Sequence, residues 1–460
     1  MLRSGVWQQR SIQMIRVRAA AERSISSAVE DRHKKSSSLP SFCRGKAAEK
    51  LRRDLAGGKE MYNVRNVTED IIWIGASDRR LALFENMFPI PRGVSYNSYV
   101  LLDEKTVLLD TVDTGVAGQF FENLEHVLGG RALDYLVVNH MEPDHCALIG
   151  DIVRRYPDVS IVGNAKTFCM MQQFFGTAFE ERAVTVKEGD TLNTGKHTLQ
   201  FMLAPMVHWP EVMVTYDALD KVLFSADGFG TFGALNGNIF ADELSIEQEW
   251  LADFRRYYAN IVGKYGPSVQ ALLKKAAGLE IEMICPLHGP VWRENLPYIL
   301  EKYQKWSAYE AEEKAVAVIY ASMYGNTASA ADALAGALAE RGIEKIAVYD
   351  VSNMHVSELI SEIFRVSHLV FAAPTYNGGI YPVLENLFAD MKALNVQKKT
   401  VALLESGTWG ITTAKQMREQ LAELKDMNIL DTQITVKSAM HADQREELEQ
   451  LADVIAESLK

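Results

Sequence analysis

Residues 137–150 read VVNHMEPDHCALIG, and four side chains able to bind a metal fall within six positions: His140, Glu142, Asp144 and His145. They follow directly on LDYLVV (133–138), an apolar run of the kind that forms a buried strand. Pro143 stiffens the loop between them. Burying even one unpaired carboxylate costs several kcal/mol, so a cluster this dense at a strand end calls for a cation.

Working outward, the same arrangement recurs. Strand patterns are read at IIWIGA (71–76), SYNSYVLL (95–102), KTVLLDTV (105–112), VSIVGN (159–164), LQFMLAPMVHW (199–209), EVMVTYD (211–217) and KVLFSADG (221–228). His208 closes the sixth strand-forming run of the region, Asp227 follows LFSA, and His288 follows EMICPL (282–287). Each lies in the loop after a strand, where layered α/β proteins carry their sites. His126, His197, His355, His368 and His441 lie in surface-like contexts and are expected to be hydrogen-bonded or solvated rather than metal-bound.

Residues 292–314 read as a helical, charged connector, and from Ala315 the pattern changes. Strand runs AVAVIYAS, IAVYDV, HLVFAAP, TVALLES and ITVKSAM alternate with five helical stretches through residue 460. That alternation predicts a doubly wound parallel sheet. The loop Ser322, Met323, Tyr324, Gly325, Asn326, Thr327 joins the first of these strands to its helix, so hydroxyls, backbone N–H groups and a helix N-terminus meet there, as a phosphate requires. It lacks the lysine of a nucleoside-triphosphate loop. Two further loops, Pro374, Thr375, Tyr376, Asn377, Gly378, Gly379 and Ser406, Gly407, Thr408, Trp409, Gly410, follow the third and fourth strands. They supply backbone amides for a flavin's polar rim and an aromatic to flank its ring, at the edge where such sheets bind ligands.

Composition sets the class. The chain has 460 residues, 48% hydrophobic and 23% charged, too many for one ordinary domain. No apolar run approaches the roughly 20 residues of a membrane span. Cys43, Cys146, Cys169 and Cys285 form no C-x-x-C pair, which argues against a zinc module, a disulfide framework or a built-in rubredoxin-type site. A reducing cytoplasm is expected. Of the 48 Lys+Arg and 60 Asp+Glu, residues 1–60 hold 14 and 6, leaving 34 and 54 for an acidic body. Such a body does not invite nucleic acid or an anionic membrane. Residues 1–60 are expected to be a disordered or non-native extension, with the natural start at Met61. The expected domains are 61–300, a linker helix at 301–314, and 315–460.

His140-x-Glu142-x-Asp144-His145 followed by His208, Asp227 and His288 resembles the metallo-β-lactamase-fold ligand order, and its Glu142 variant resembles the flavodiiron proteins. The runs RRLALFENMFPIPRGVSYNSYVL and HWPEVMVTY are similar to that family too, and the likeness extends from about Met61 to the C-terminus. The fold implied is a metallo-β-lactamase-like αββα sandwich followed by a flavodoxin-like domain. By the resemblance His140, Glu142 and His208 would hold one iron, Asp144 and His288 the second, and Asp227 would bridge them. His145 binds the second iron in some relatives and turns away in others. Carboxylate in place of imidazole suits a harder ion such as iron, whereas an all-histidine first site favours zinc.

The resemblance further implies FMN and a non-haem diiron pair as cofactors, with reduction of O2 to water, of NO to N2O, or of both. It implies a head-to-tail homodimer or a dimer of dimers. An external electron donor, a rubredoxin or another reductase, is expected. Two other readings stay open at this level: a zinc hydrolase fused to a flavodoxin domain, and a non-enzymatic electron carrier.

Overall fold

The computed structural model describes residues 61–460, so the expectation for residues 1–60 lies outside the described residues. Short strands come first: β1 (Arg65–Asn66), β2 (Ile71–Trp73), β3 (Ala76–Asp78), β4 (Leu83–Phe84), β5 (Phe88–Pro89), β6 (Val94–Tyr96), β7 (Tyr99–Leu102) and β8 (Thr106–Leu109). Helix α1 (Ala117–Leu128) leads to β9 (Tyr135–Val137), followed by α2 (Pro143–Cys146), α3 (Ile149–Arg155), β10 (Ser160–Gly163), α4 (Ala165–Phe175) and β11 (Ala183–Thr185). One sheet runs β1-β2-β7-β8-β9-β10-β11, antiparallel up to β8 and parallel beyond it. The second sheet takes β12 (Thr191–Asn193), β13 (Thr198–Leu203), β14 (Met213–Asp217), β15 (Val222–Phe224) and β16 (Met283–Cys285) in chain order.

β7, β8 and β14 are buried along nearly their whole length rather than on alternate residues. Helices cover the outer face of a strand buried on both sides, and α1 does so with Phe120, Leu124 and Leu128. Helices α5 (Leu251–Tyr257) and α6 (Gly266–Ala276) precede β16, and α7 (Leu296–Ser307) follows it.

α7 departs from the expected connector at 301–314. It begins earlier, at Leu296, ends at Ser307, and buries Ile299, Tyr303, Trp306 and Ser307. Its charged residues occupy the other side, so a packed helix reads in sequence as a solvated one.

The second domain holds β17 (Glu313–Tyr320), α8 (Asn326–Glu340), β18 (Ile346–Asp350), α9 (Val356–Arg365), β19 (Val366–Pro374), α10 (Pro382–Ala393), β20 (Thr400–Gly407), α11 (Thr413–Ala422), β21 (Asn428–Lys437) and α12 (Arg445–Leu459). Its sheet order is β18-β17-β19-β20-β21, and every neighbouring pair is parallel. The expected doubly wound sheet is therefore present. One of its faces packs with α8 and α12, through residues such as Val318, Leu334 and Ile455. The other joins a single apolar cluster that runs back into the first domain. No helix among the described residues is long and apolar enough to cross a membrane.

Candidate functional site

The metal-binding candidates converge. His140 follows β9, His208 follows β13, Asp227 follows β15 and His288 follows β16, so strand ends of both sheets supply them. Glu142 is extended and Pro143 opens α2, a place suited to proline because its missing N–H is unneeded there. The single turn of α2 then carries Asp144 and His145 inward, both buried.

Two groups form around a shared residue. Ligand atoms of His140, Glu142, His208 and Asp227 lie within 4.8 Å of one another, as do those of Asp144, His145 and His288. Glu142 Oε2 stands 3.2 Å from His140 Nε2 and 3.0 Å from His208 Nε2. Asp227 turns Oδ2 toward His208 at 3.1 Å and Oδ1 toward His145 at 3.2 Å, one oxygen for each group. His145 thus faces inward, its Nε2 3.0 Å from that of His288.

The outer partners fix which ring nitrogens face in. His140 Nδ1 donates to Glu211 Oε1 at 2.7 Å, and His288 Nδ1 donates to the Ser95 carbonyl at 2.8 Å. With the proton on Nδ1, each Nε2 presents a lone pair to carboxylate oxygens or to another imidazole. Lone pairs facing anions repel unless a cation lies among them. Both Asp144 oxygens and Asp227 Oδ1 are buried without a hydrogen-bond partner. The donor set therefore fits a pair of cations, and the buried His145 Nδ1 has no outer partner.

The carboxylates and rings also set one another's charge. Burial works against ionising Asp227 and Glu142, yet the surrounding histidines outweigh it and hold both carboxyls below their usual range. Burial likewise opposes a charged His208, but Asp227 and Glu142 raise its pKa to about 9.

Backbone strain gathers here: Asp110, Met206, Ala226 and Phe229 all have positive φ, and sparsely populated conformations cluster at functional sites. Gly289 also has positive φ, and a Cβ there would collide with Thr231 Cγ2.

Sequence reading missed several supports. Asp110 accepts the N–H groups of Asn139 and His140, and burial raises its pKa to about 6 against the pull of those bonds. In sequence Glu211 reads only as part of a strand; its place beside His140 shows in a contact 71 residues apart. Glu85 sits at the tip between β4 and β5 with φ of 49°. The residue is exposed as a whole, but its carboxyl is sheltered at the site mouth, where desolvation and then the Glu142 charge raise it to about 8.

Two of the histidines read in surface-like contexts are instead buried, and both are hydrogen-bonded. His197 bridges Asp217 through Nδ1 at 3.0 Å and Asp70 through Nε2 at 3.2 Å, and His368 contacts the hydroxyls of Ser367 and Ser458. Carboxylates on opposite ring nitrogens suit an imidazolium, unlike the convergent donors of the metal groups.

The flavin candidates gather at the carboxyl edge of the second sheet. Gly325 caps α8 without a side-chain acceptor, and Ser322 Oγ accepts the Gly325 N–H at 3.0 Å. Asn326 and Thr327 belong to the first turn of α8, so first-turn N–H groups point to where a phosphate would sit. Met323 and Tyr324 are exposed beside them, and Tyr376 and Trp409 are exposed on the two further loops, Trp409 to 78%. Pro374 closes β19, while Ser406 and Gly407 close β20. Thr408 meets Ser438 by a hydroxyl contact, and Asn377 and Gly378 shape the bend before Gly379 with positive φ.

Known proteins match both domains. A family model described as ODP family beta lactamase matches residues 94–289, and one described as flavodoxin matches 318–451. The anaerobic nitric oxide reductase flavorubredoxin of Klebsiella pneumoniae is 32% identical over 348 residues, 75% of this chain and 71% of that protein. The chain belongs to the flavodiiron protein family. An uncharacterised protein of Methanocaldococcus jannaschii is 30% identical over 376 residues, 82% of this chain and 94% of its own length. Among solved structures, the rubredoxin oxygen:oxidoreductase of Desulfovibrio gigas superposes with a TM-score of 0.80 at 29% identity, covering 86% of this chain and 98% of that one. The flavodiiron protein of Giardia intestinalis shares the fold, with a TM-score of 0.81 at 24% identity over 87% of this chain and 100% of that one. FMN and a non-haem diiron pair are the cofactors of the flavodiiron family, and this member is an FMN-containing oxidoreductase.

Proposed function

We propose that this protein takes electrons from an external donor and reduces O2 to water, NO to N2O, or both. The observation that supports this most is the pair of buried donor groups sharing Asp227, joined in one chain to a flavodoxin-type sheet. His140, Glu142 and His208 would hold one iron and Asp144, His145 and His288 the other, with Asp227 turning one oxygen to each group. When bound, the irons and FMN together supply the four electrons that turn O2 into two waters, or the two that join two NO molecules as N2O.

The chain's own residues prepare that chemistry. Glu211 and the Ser95 carbonyl orient His140 and His288, which keeps their Nε2 lone pairs aimed inward. Phe84 and Tyr257 pack on His288 with ring centroids 5.4 and 5.6 Å away, and Trp209 packs on His140 at 5.3 Å. These rings keep bulk water off the donors. In the second domain Ser322, Gly325, Asn326 and Thr327 take the phosphate, with Met323 and Tyr324 alongside it. The loops Pro374–Gly379 and Ser406–Gly410 border the ring, flanked by Tyr376 and Trp409.

A rubredoxin or another small reductase serves as donor. A head-to-tail homodimer, or a dimer of dimers, brings the flavin edge of one subunit to the metal site of the next, in a reducing cytoplasm where Cys146, Cys169 and Cys285 stay free.

The test is anaerobic stopped-flow mixing of the fully reduced, iron-loaded protein with O2 and, separately, with NO. Rapid reoxidation by at least one gas, without released peroxide from O2, is expected. Two bound zinc ions with thioester or lactam cleavage, or inertness to both gases, would overturn the reading.

A further inference from the structure

Just before its last residue, Gly407, β20 carries two polar residues, Glu405 and Ser406, whose side chains leave opposite faces of the sheet. Ser406 Oγ meets Thr327 Oγ1 at 2.8 Å, in the first turn of α8. Glu405 points the other way and is 7% exposed. Its Oε2 accepts the Ala414 N–H at 2.8 Å and its Oε1 accepts the Thr435 hydroxyl at 2.8 Å.

Ala414 lies in the first turn of α11, and this helix has no cap of its own: no Thr412 side-chain bond closes its N-terminus. The orphan N–H groups go to distant residues instead. Thr375 Oγ1 accepts from Thr412 N at 3.0 Å and from Thr413 N at 3.3 Å, and Glu405 takes Ala414. Thr413 Oγ1 also donates to Thr375 Oγ1 at 2.8 Å, and Gln416 Nε2 donates to the Gly378 carbonyl at 2.7 Å. The start of α11 thereby fastens the loop after β19, which carries Tyr376, to the loop after β20, which carries Trp409.

We propose that Glu405 is a positioning residue for flavin binding, with Thr375 as its counterpart. Its buried carboxylate anchors the N-terminus of α11 and so sets the gap between the Tyr376 and Trp409 loops. This rests on reading that edge as the FMN site. Both aromatics are exposed, and although Tyr376 meets Tyr381 edge-on with ring centroids 5.8 Å apart, the anchor sets the spacing of the two loops that binding would otherwise have to impose. A negative group is well placed there, because a helix N-terminus carries partial positive charge.

The experiment titrates flavin-stripped, iron-loaded protein with FMN and with riboflavin, following flavin fluorescence quenching, for wild type, Glu405→Ala, Glu405→Gln, Thr375→Val and Thr375→Ser. Loss of a charge-assisted bond predicts that Glu405→Ala weakens both flavins about tenfold or more, by the same factor, since the loops border the ring rather than the phosphate. Glu405→Gln can still accept the Ala414 N–H through its amide oxygen and is expected to remain within about threefold of wild type. Thr375→Val weakens both flavins and Thr375→Ser restores them. Melting temperature and iron content stay near wild type in the Gln and Ser variants. Wild-type affinity in Glu405→Ala would overturn the inference. Should that variant not fold, wild-type affinity in Thr375→Val would overturn it equally. A wild-type chain that bound riboflavin but not FMN, or neither, would instead remove the FMN reading on which it stands.

Discussion

At the scale of single residues, Glu142 carries the distinction between a diiron site and a zinc hydrolase site. Its Oε2 lies between His140 and His208, so Glu142→Ala removes the one carboxylate that belongs to the first group alone. Metal analysis of that variant is expected to show iron falling from two per chain toward one, with gas consumption lost. Two retained irons and full turnover would show that Glu142 is no ligand. Glu211 acts one step further out: without it the His140 ring loses its tautomer and orientation. Glu211→Ala is expected to lower iron affinity about 10- to 100-fold in competition with a chelator, leaving the fold intact. His197 makes a different prediction. Burial opposes its charged form, but hydrogen bonds to Asp217 and Asp70 outweigh it and raise its pKa. A raised folded pKa adds stability that is complete below the unfolded value of about 6.5 and is lost as pH climbs through the folded value. In urea denaturation, the advantage of wild type over His197→Gln should therefore shrink as pH rises above about 6.5; a constant difference would mean a neutral ring. The metal donors were legible because each stands in a strand-end loop. His197 was not, since the Asp70 that helps bury it lies 127 residues away.

At the scale of elements, long apolar strands and the βα alternation after residue 313 could be read from pattern alone. β1, β4 and β5, two residues each, are too short to display any period. α7 is more instructive. Ile299, Tyr303 and Trp306 recur at helical spacing, yet Glu301, Lys302 and Lys305 lie between them and give the segment a solvated look. Trp306 is fully buried, and its indole N–H donates to Glu312 Oε1 at 2.6 Å. Trp306→Ala creates a cavity and takes one donor from that carboxylate, which keeps Arg255 and Lys302, so thermal or urea unfolding should show a loss of about 3–5 kcal/mol from the cavity. Glu301→Ala, on the exposed side, should change stability by no more than about 0.5 kcal/mol. Equal effects from the two would mean that α7 is the surface connector its charges suggest.

At the scale of the whole molecule, α5 faces two ways. Tyr257 packs on His288 at the metal site, while the neighbouring Arg255 and Arg256 reach the second domain. Arg255 is 5% exposed and bonds Glu312 at 2.5 Å and Glu362, on α9, at 3.3 Å. Arg256 donates to Ser357 Oγ on α9 and to the Pro89 carbonyl of β5, the strand beside the Glu85 tip. A buried ion pair adds little net stability when intact, but removing one partner leaves the other charged and unsolvated, a cost of about 3–5 kcal/mol. In Arg255→Ala, Glu312 keeps Lys302 and Trp306 and Glu362 keeps Arg365 and Tyr349, so the loss is smaller than that and falls on the contact between domains rather than on either core. Wild type should accordingly lose flavin fluorescence quenching and iron absorbance in one coincident urea transition. Arg255→Ala should split them, releasing flavin at lower urea while the metal domain persists. Coincident transitions at the wild-type midpoint in the variant would show that the apolar contact alone joins the domains and that the charged network is incidental to it.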